Sequence, residues 1–193
     1  MLDNLKNYHI VLASNSPRRK ELLAGLGIDF DVRTIAGIDE SYPPSLALTE
    51  IAEHISAKKA TAYRSTMGND ELIITADTVV ICGNEVMGKP VDEADAFRML
   101  RKLSGRSHSV TTGVCLTTKS AQRRFSVTTE VTFRDLTDDE ISYYIDNYHP
   151  FDKAGAYGIQ DWIGYVGCTG LNGSYYNVMG LPVQRIYNEL RMF

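Results

Sequence analysis

Cysteine is scarce in this sequence. Cys82, Cys115 and Cys168 are odd in number and far apart, and they form no C-x-x-C pair. That spacing argues against a disulfide framework and a structural zinc site, and makes reduced thiols in a cytoplasmic protein the expectation. Long apolar runs are missing as well. The run nearest the start, Ile10-Val11-Leu12-Ala13, is too short for a signal-peptide core or a membrane span and reads as a buried strand. Positive charge is not in excess: 20 Lys and Arg against 24 Asp and Glu give a formal net charge of −4, against the basic footprint of a sequence-independent nucleic-acid binder. His9, His54, His108 and His149 show no metal-ligand spacing. There is no Walker A sequence and no nucleophile elbow. The run Gly164-x-x-Gly167-x-x-Gly170-x-x-Gly173 lacks the strand–turn–helix setting of a dinucleotide fingerprint, and turns between short strands explain it better.

What is present is ordinary for one globular domain: 193 residues, 44% hydrophobic and 23% charged, with no repeat and no long linker. The pattern predicts a strand over 9–13 and a helix over 17–26. A strand over 29–34 follows, then an irregular stretch through Asp39, Glu40, Pro43 and Pro44. A helix over 49–65 leads to an apolar, β-branched strand over 72–82. Gly83-Asn84 is a turn, with a return strand beginning at 85–87. Asp92 opens a helix that Gly105 closes, and Thr/Val-rich strands lie near 107–118 and 124–134. Thr137 and Glu140 form a capping box for a helix to about Tyr148, and a last helix follows Pro182. Strands and helices mix without strict alternation, which implies a mixed α/β sheet.

Several stretches carry more chemistry than a scaffold needs. Ser16-Pro17 is a helix start, yet Arg18 and Arg19 fill the first turn, where the helix dipole disfavours cations. An anion bound at the free N–H groups turns that repulsion into shared attraction, with Ser14 and Ser16 as extra donors. Asp77 interrupts a strand that otherwise reads as buried; a buried carboxylate needs a metal, a cation or a protonation role, the alternative being a strand-end carboxylate hydrogen-bonded to nearby backbone. If Cys82 pairs with Glu85, Thr78 lies opposite Lys89 and the lysine of Gly88-Lys89-Pro90 returns beside Asp77. Lys59 follows Ile55 by four residues, so it lies on the apolar side of its helix, where snorkelling is the plain explanation; Lys58 reads as solvent-facing. Asp39 and Glu40 read as solvated loop carboxylates. Lys153-Ala154-Gly155-Ala156-Tyr157-Gly158-Ile159-Gln160 is glycine-rich and ends in an amide that could offer a donor and an acceptor to a base edge, although composition alone favours a loop with a surface glutamine.

Taken in order, Ser14-Asn15-Ser16-Pro17-Arg18-Arg19, Ala76-Asp77-Thr78, Gly88-Lys89-Pro90 and the Lys153–Gln160 segment resemble the Maf family of nucleoside triphosphate pyrophosphatases, as do Asn172-Gly173-Ser174-Tyr175 and Gly180-Leu181-Pro182. The resemblance covers nearly the whole chain. It implies an elongated, ITPase-like mixed α/β fold, one domain over 1–193 with two lobes around a deep central cleft, and members that are often dimers. It implies hydrolysis of a nucleoside triphosphate to monophosphate and pyrophosphate with Mg²⁺ or Mn²⁺, in the cytoplasm, with neither nucleic acid nor membrane as partner. By position, Asp77 matches the proton acceptor. Arg18, Thr78 and Gln160 match positions diagnostic of the dTTP/UTP subgroup. Arg19, Lys59 and Lys89 match phosphate-binding positions, Lys89 also as part of the catalytic set, and Ser14 and Glu40 match further cleft positions. Glu40 and Asp77 are the expected metal carboxylates. Asp161-Trp162 departs from the pattern, since glycine-containing sequence is expected there. Two alternatives stay open: the same reaction on another nucleotide such as 7-methyl-GTP, and a non-catalytic nucleotide-binding regulator of cell division.

Overall fold

In the computed structural model, which describes residues 2–193, the strand expected at the first apolar run is β1 (His9–Leu12). It is followed by α1 (Pro17–Ala24), β2 (Asp31–Val32), α2 (Ile51–Tyr63), β3 (Glu71–Cys82), β4 (Glu85–Met87) and α3 (Glu93–Leu103). Then come β5 (Ser107–Thr117), β6 (Gln122–Phe133), α4 (Asp138–Tyr148), α5 (Trp162–Gly167), β7 (Cys168–Asn172), α6 (Tyr175–Val178) and α7 (Val183–Leu190). The strands form one seven-stranded mixed sheet in the order β2-β1-β3-β5-β6-β7, with β4 paired to β3. Among the described residues no helix is long and apolar enough to cross a membrane.

The chain divides into two compact units whose boundaries fall within β3, β5 and β6 and between α6 and α7. The first takes the chain up to Asp77, with Thr112–Val127 and Gly180–Phe193. In it β1 runs parallel to both β2 and β3, with Val11 between Asp31 and Ile73. The expected strand over 29–34 shrinks to two residues because the chain beyond it is claimed by side chains. The Tyr63 hydroxyl donates to the Arg33 carbonyl and accepts from the Ile35 N–H, both at 3.0 Å. Arg33 in turn forms a forked pair with the buried carboxylate of Glu71, at 2.7 and 2.8 Å. Val11, Tyr63, Met67 and Ile73 pack beneath this segment, and burying such side chains stabilises by roughly 1.5–3 kcal/mol each.

Helix α2 is seated on the sheet by two contacts within the same unit. The buried Thr75 hydroxyl donates to the Ser56 carbonyl at 2.8 Å. Gly113 of β5 lies so close that a Cβ there would stand 2.1 Å from the Glu53 nitrogen, so the helix backbone rests on bare strand. One turn beyond Ser56 comes Lys59, and two residues beyond Thr75 comes Asp77.

The second unit comprises Thr78–Thr111 and Thr128–Met179. Its core brings Val80 and Met87 together with Leu100, Leu103, Phe133 and Tyr144. The hairpin has the expected register, Cys82 opposite Glu85. Both expected caps form: Asp92 Oδ1 accepts from the Asp95 N–H at 2.8 Å, and Thr137 and Glu140 make a reciprocal capping box. The glycine-rich run departs from expectation. It holds a short helix, α5, and then β7, because burial of Ile163 and Gly167 outweighs weak local helix propensity.

Candidate active site

Helix α1 begins as its sequence dictates. Pro17 occupies the first turn, Ser16 Oγ accepts from the Arg19 N–H at 3.4 Å, and the buried Ser14 hydroxyl accepts from the Ser16 N–H at 3.2 Å. Arg18 and Arg19 are both half-buried. Arg19 reaches back across the unit: its Nε donates to the Gly180 carbonyl at 2.8 Å and its Nη1 to the Ala76 carbonyl at 2.9 Å. Burial pulls the Arg19 guanidinium below its ordinary pKa while the charge of Asp77 pulls it back up; a guanidinium remains cationic through any shift of this kind. The Gly180-Leu181-Pro182 motif thus supplies an acceptor for one arginine, and that arginine grips the residue before Asp77.

Asp77 and Lys59 face each other. Lys59 Nζ lies 2.7 Å from Asp77 Oδ1, and the two side chains are only 15% and 13% exposed. The same ammonium lies 2.9 Å from Glu40 Oε1 on the exposed loop. One turn of α2 and one strand residue therefore meet with a loop carboxylate at a single cation. An ammonium has three donors, and these contacts use two of them. Lys59 is not merely snorkelling.

The neighbouring residues repeat the arrangement. Lys58 Nζ donates to Asp39 Oδ2 and to the Ser41 carbonyl, both at 2.8 Å. The Lys58 ammonium, with the donors of Ser41, holds the Asp39 carboxyl well below the usual carboxylate range. Two consecutive lysines of α2 thus grip two consecutive carboxylates of the loop. Lys58 does not simply point to solvent and Asp39 is not simply solvated. The doublets Asp39-Glu40 and Lys58-Lys59 were the available signal for this match.

In the second unit the hairpin ladder ends at Val80 opposite Met87, two pairs short of bringing Lys89 opposite Thr78. The Gly88 carbonyl is taken instead by the Gly155 N–H at 2.9 Å, and Lys89 lies exposed beyond the strand. The cation on Asp77 is Lys59, contributed by a helix, which the strand pattern alone does not reveal. Thr78 is half-buried at the next position of β3. Gln160 ends the glycine-rich segment with its Oε1 buried and without a hydrogen-bond partner among the described residues.

Among the described residues no three His, Cys, Asp or Glu side chains converge as a metal-binding group. A Mg²⁺ or Mn²⁺ bound with a polyphosphate does not need three, since one or two carboxylates complete its shell together with phosphate oxygens and water. Asp77 and Glu40, hard oxygen donors brought to one cation, fit that requirement.

The family model described as Maf-like protein matches residues 9–193. Curated relatives named dTTP/UTP pyrophosphatase are similar along essentially the whole chain. That of Phocaeicola vulgatus is 63% identical over 191 residues, 99% of each chain, and that of Parabacteroides distasonis is 58% identical over 193 residues, all of both chains. The Bacteroides thetaiotaomicron protein is 57% identical over 191 residues, again 99% of each. Among solved structures, the Ham1 protein of Staphylococcus aureus aligns with a TM-score of 0.49 and 16% identity, over 66% of this chain and 72% of that one. With a family model spanning nearly its full length and relatives at this identity, the chain belongs to the Maf-like protein family.

Proposed function

We propose that this chain is a pyrophosphatase that hydrolyses dTTP and UTP to the nucleoside monophosphate and pyrophosphate. The observation that carries the reading is the Asp77–Lys59–Glu40 cluster, set on a strand whose preceding carbonyl is held by Arg19. Full-length relatives bearing the name dTTP/UTP pyrophosphatase support the choice of substrate.

The N–H groups of Ser16 and Arg19 are taken by the Ser14 and Ser16 hydroxyls and Pro17 has none, so in this reading the triphosphate tail is drawn by side chains, those of Arg18, Lys59 with its remaining donor, and Lys89. Ser14 shapes the turn that leads into α1. Asp77 takes the proton from a water that attacks the α-phosphorus, the bond from that phosphorus to the bridging oxygen breaks, and pyrophosphate leaves. Arg19 fixes the backbone from which Asp77 projects. Asp77 and Glu40 are the residues that would hold Mg²⁺ or Mn²⁺, which when bound supplies charge neutralisation for the phosphoryl oxygens. Thr78 and Gln160 read the base.

The test is pyrophosphate release from a panel of UTP, dTTP, CTP and 7-methyl-GTP with Mg²⁺. UTP and dTTP are expected to lead. Asp77→Asn should lower turnover by about 10²–10⁴-fold while nucleotide binding stays measurable. Near-normal turnover in that variant removes Asp77 from the chemistry. Nucleotide binding without hydrolysis in the unaltered protein assigns it to a regulator instead.

A further inference from the structure

Asp161 stands where an aspartate ordinarily caps a helix. Its backbone is extended, α5 begins at the next residue, and yet its carboxylate makes no capping bond. It is turned away to Tyr144, whose hydroxyl donates to Oδ2 at 2.7 Å. The same hydroxyl accepts from the Gly158 N–H at 3.0 Å. The Asp161 N–H donates to the Gly158 carbonyl at 3.0 Å, so both polar groups of Gly158 are tied, directly or through Tyr144, to Asp161. Lys153 Nζ adds a positive charge 3.9 Å from the same carboxylate oxygen. Burial, and then the Asp161 charge, push the Tyr144 pKa upward, which keeps the hydroxyl a donor.

Gln160 is held inside this lock. A Cβ on Gly158 would stand 2.8 Å from Gln160 Nε2 and 2.6 Å from Asp161 Oδ2, so both side chains lie against the bare glycine. That leaves Gln160 Oε1 as a buried acceptor without a partner among the described residues. A primary amide that is free to turn over cannot tell uracil from cytosine. It meets the uracil N3–H with its oxygen and, flipped, meets the bare N3 of cytosine with its nitrogen. Only an amide of fixed orientation discriminates.

We propose that Asp161 is a positioning residue for specificity: through Tyr144 and Gly158 it fixes the orientation of the Gln160 amide, with Oε1 as the unpaired acceptor, so that the site takes bases with an imide N–H, uracil and thymine, and rejects cytosine. This rests on the pyrophosphatase reading and adds to it the device that orients the base-reading group.

The experiment measures kcat and KM for UTP and CTP, by pyrophosphate release, in the unaltered protein and in Asp161→Ala, Asp161→Asn and Tyr144→Phe. The unaltered protein is expected to prefer UTP. Asp161→Ala and Tyr144→Phe should each reduce the UTP/CTP ratio of kcat/KM by at least about tenfold, with part of the change a gain on CTP. The amide oxygen that Asp161→Asn introduces still accepts from the Tyr144 hydroxyl, so this variant should keep the ratio within about threefold of the parent. Equal losses on both substrates, or an unchanged ratio, in Asp161→Ala or Tyr144→Phe overturn the inference and leave the pyrophosphatase reading standing. If those variants do not fold, Asp161→Asn still decides, since a collapsed ratio there overturns the inference. Equal use of UTP and CTP by the unaltered protein overturns it too. Absence of pyrophosphate release from any triphosphate overturns the underlying reading as well.

Discussion

Arg19 donates from Nη1 to the carbonyl of Ala76 at 2.9 Å, and so holds the peptide from which Asp77 projects. A second donor of the same guanidinium is fixed on the Gly180 carbonyl. Two arginines in the first turn of α1 therefore do different work. Arg19 is spent largely on the protein's own backbone, and the electrostatic cost of placing it at a positive helix end is offset by two carbonyl acceptors and the nearby Asp77 charge.

If Arg19 acts through Asp77, Arg19→Lys should lower kcat by about 10²-fold, because a lysine cannot span both carbonyls and a displacement of about 1 Å at a reacting group costs that much. KM for UTP and inhibition by inorganic pyrophosphate should change less than about threefold. The opposite split, a large rise in KM with kcat retained, would reassign Arg19 to the phosphate tail.

Lys59 is the cation on which the cluster depends. Lys59→Met keeps the aliphatic stem and removes the ammonium that Asp77 and Glu40 share. A loss of about 1–3 kcal/mol is expected from urea unfolding, together with loss of activity. Lys59→Arg should recover much of the stability, because charge is restored, and little of the turnover, because the fork presents its charge elsewhere. Full activity in either variant would detach Lys59 from the site.

The parts of this arrangement that are legible in the sequence are those set by local chemistry. Ser16-Pro17 announces the start of α1, Gly83-Asn84 sets the hairpin register, and Thr137 with Glu140 marks the start of α4. What stays hidden is decided by tertiary contacts. The ladder ends at Met87 because the Gly88 carbonyl is claimed by Gly155, 67 residues on in the chain. Asp77 meets Lys59 because the Thr75 hydroxyl and the bare backbone of Gly113 set the height of α2 on the sheet. The short helix α5 is invisible to propensity because its glycines argue against it while the burial of Ile163 argues for it. The site residues themselves emerge from the family resemblance, and their roles are what the variants above test.

Gly113 connects stability to the site. A methyl group there meets the Glu53 nitrogen and Ala52 carbon at 2.1 and 2.2 Å, and both are backbone atoms that cannot rotate away. Gly113→Ala should push α2 off β5, weaken the Thr75–Ser56 bond and move Lys59 from Asp77. The expected cost is about 2–4 kcal/mol in urea unfolding, with reduced kcat even where the variant is fully folded. A change within about 0.5 kcal/mol would mean that the helix lifts freely and does not set the geometry of the cluster.

His108 gives the fold a pH dependence independent of the chemistry. Its ring is buried against Phe133 and Tyr157, with Nε2 at 2.7 Å from the Tyr157 hydroxyl, and burial pushes its pKa down to about 4. An unfolded histidine titrates near 6.5, so between these values the unfolded chain binds a proton that the folded chain refuses. Stability from this group is complete above about pH 6.5 and falls as the pH drops toward 4, by at most about 1.4 kcal/mol per pH unit. Urea unfolding across this range should show that slope in the unaltered protein. It should be smaller in His108→Gln, which keeps a polar partner for Tyr157 and does not titrate. Equal slopes in the two proteins would mean that the ring reaches solvent and is protonated without unfolding.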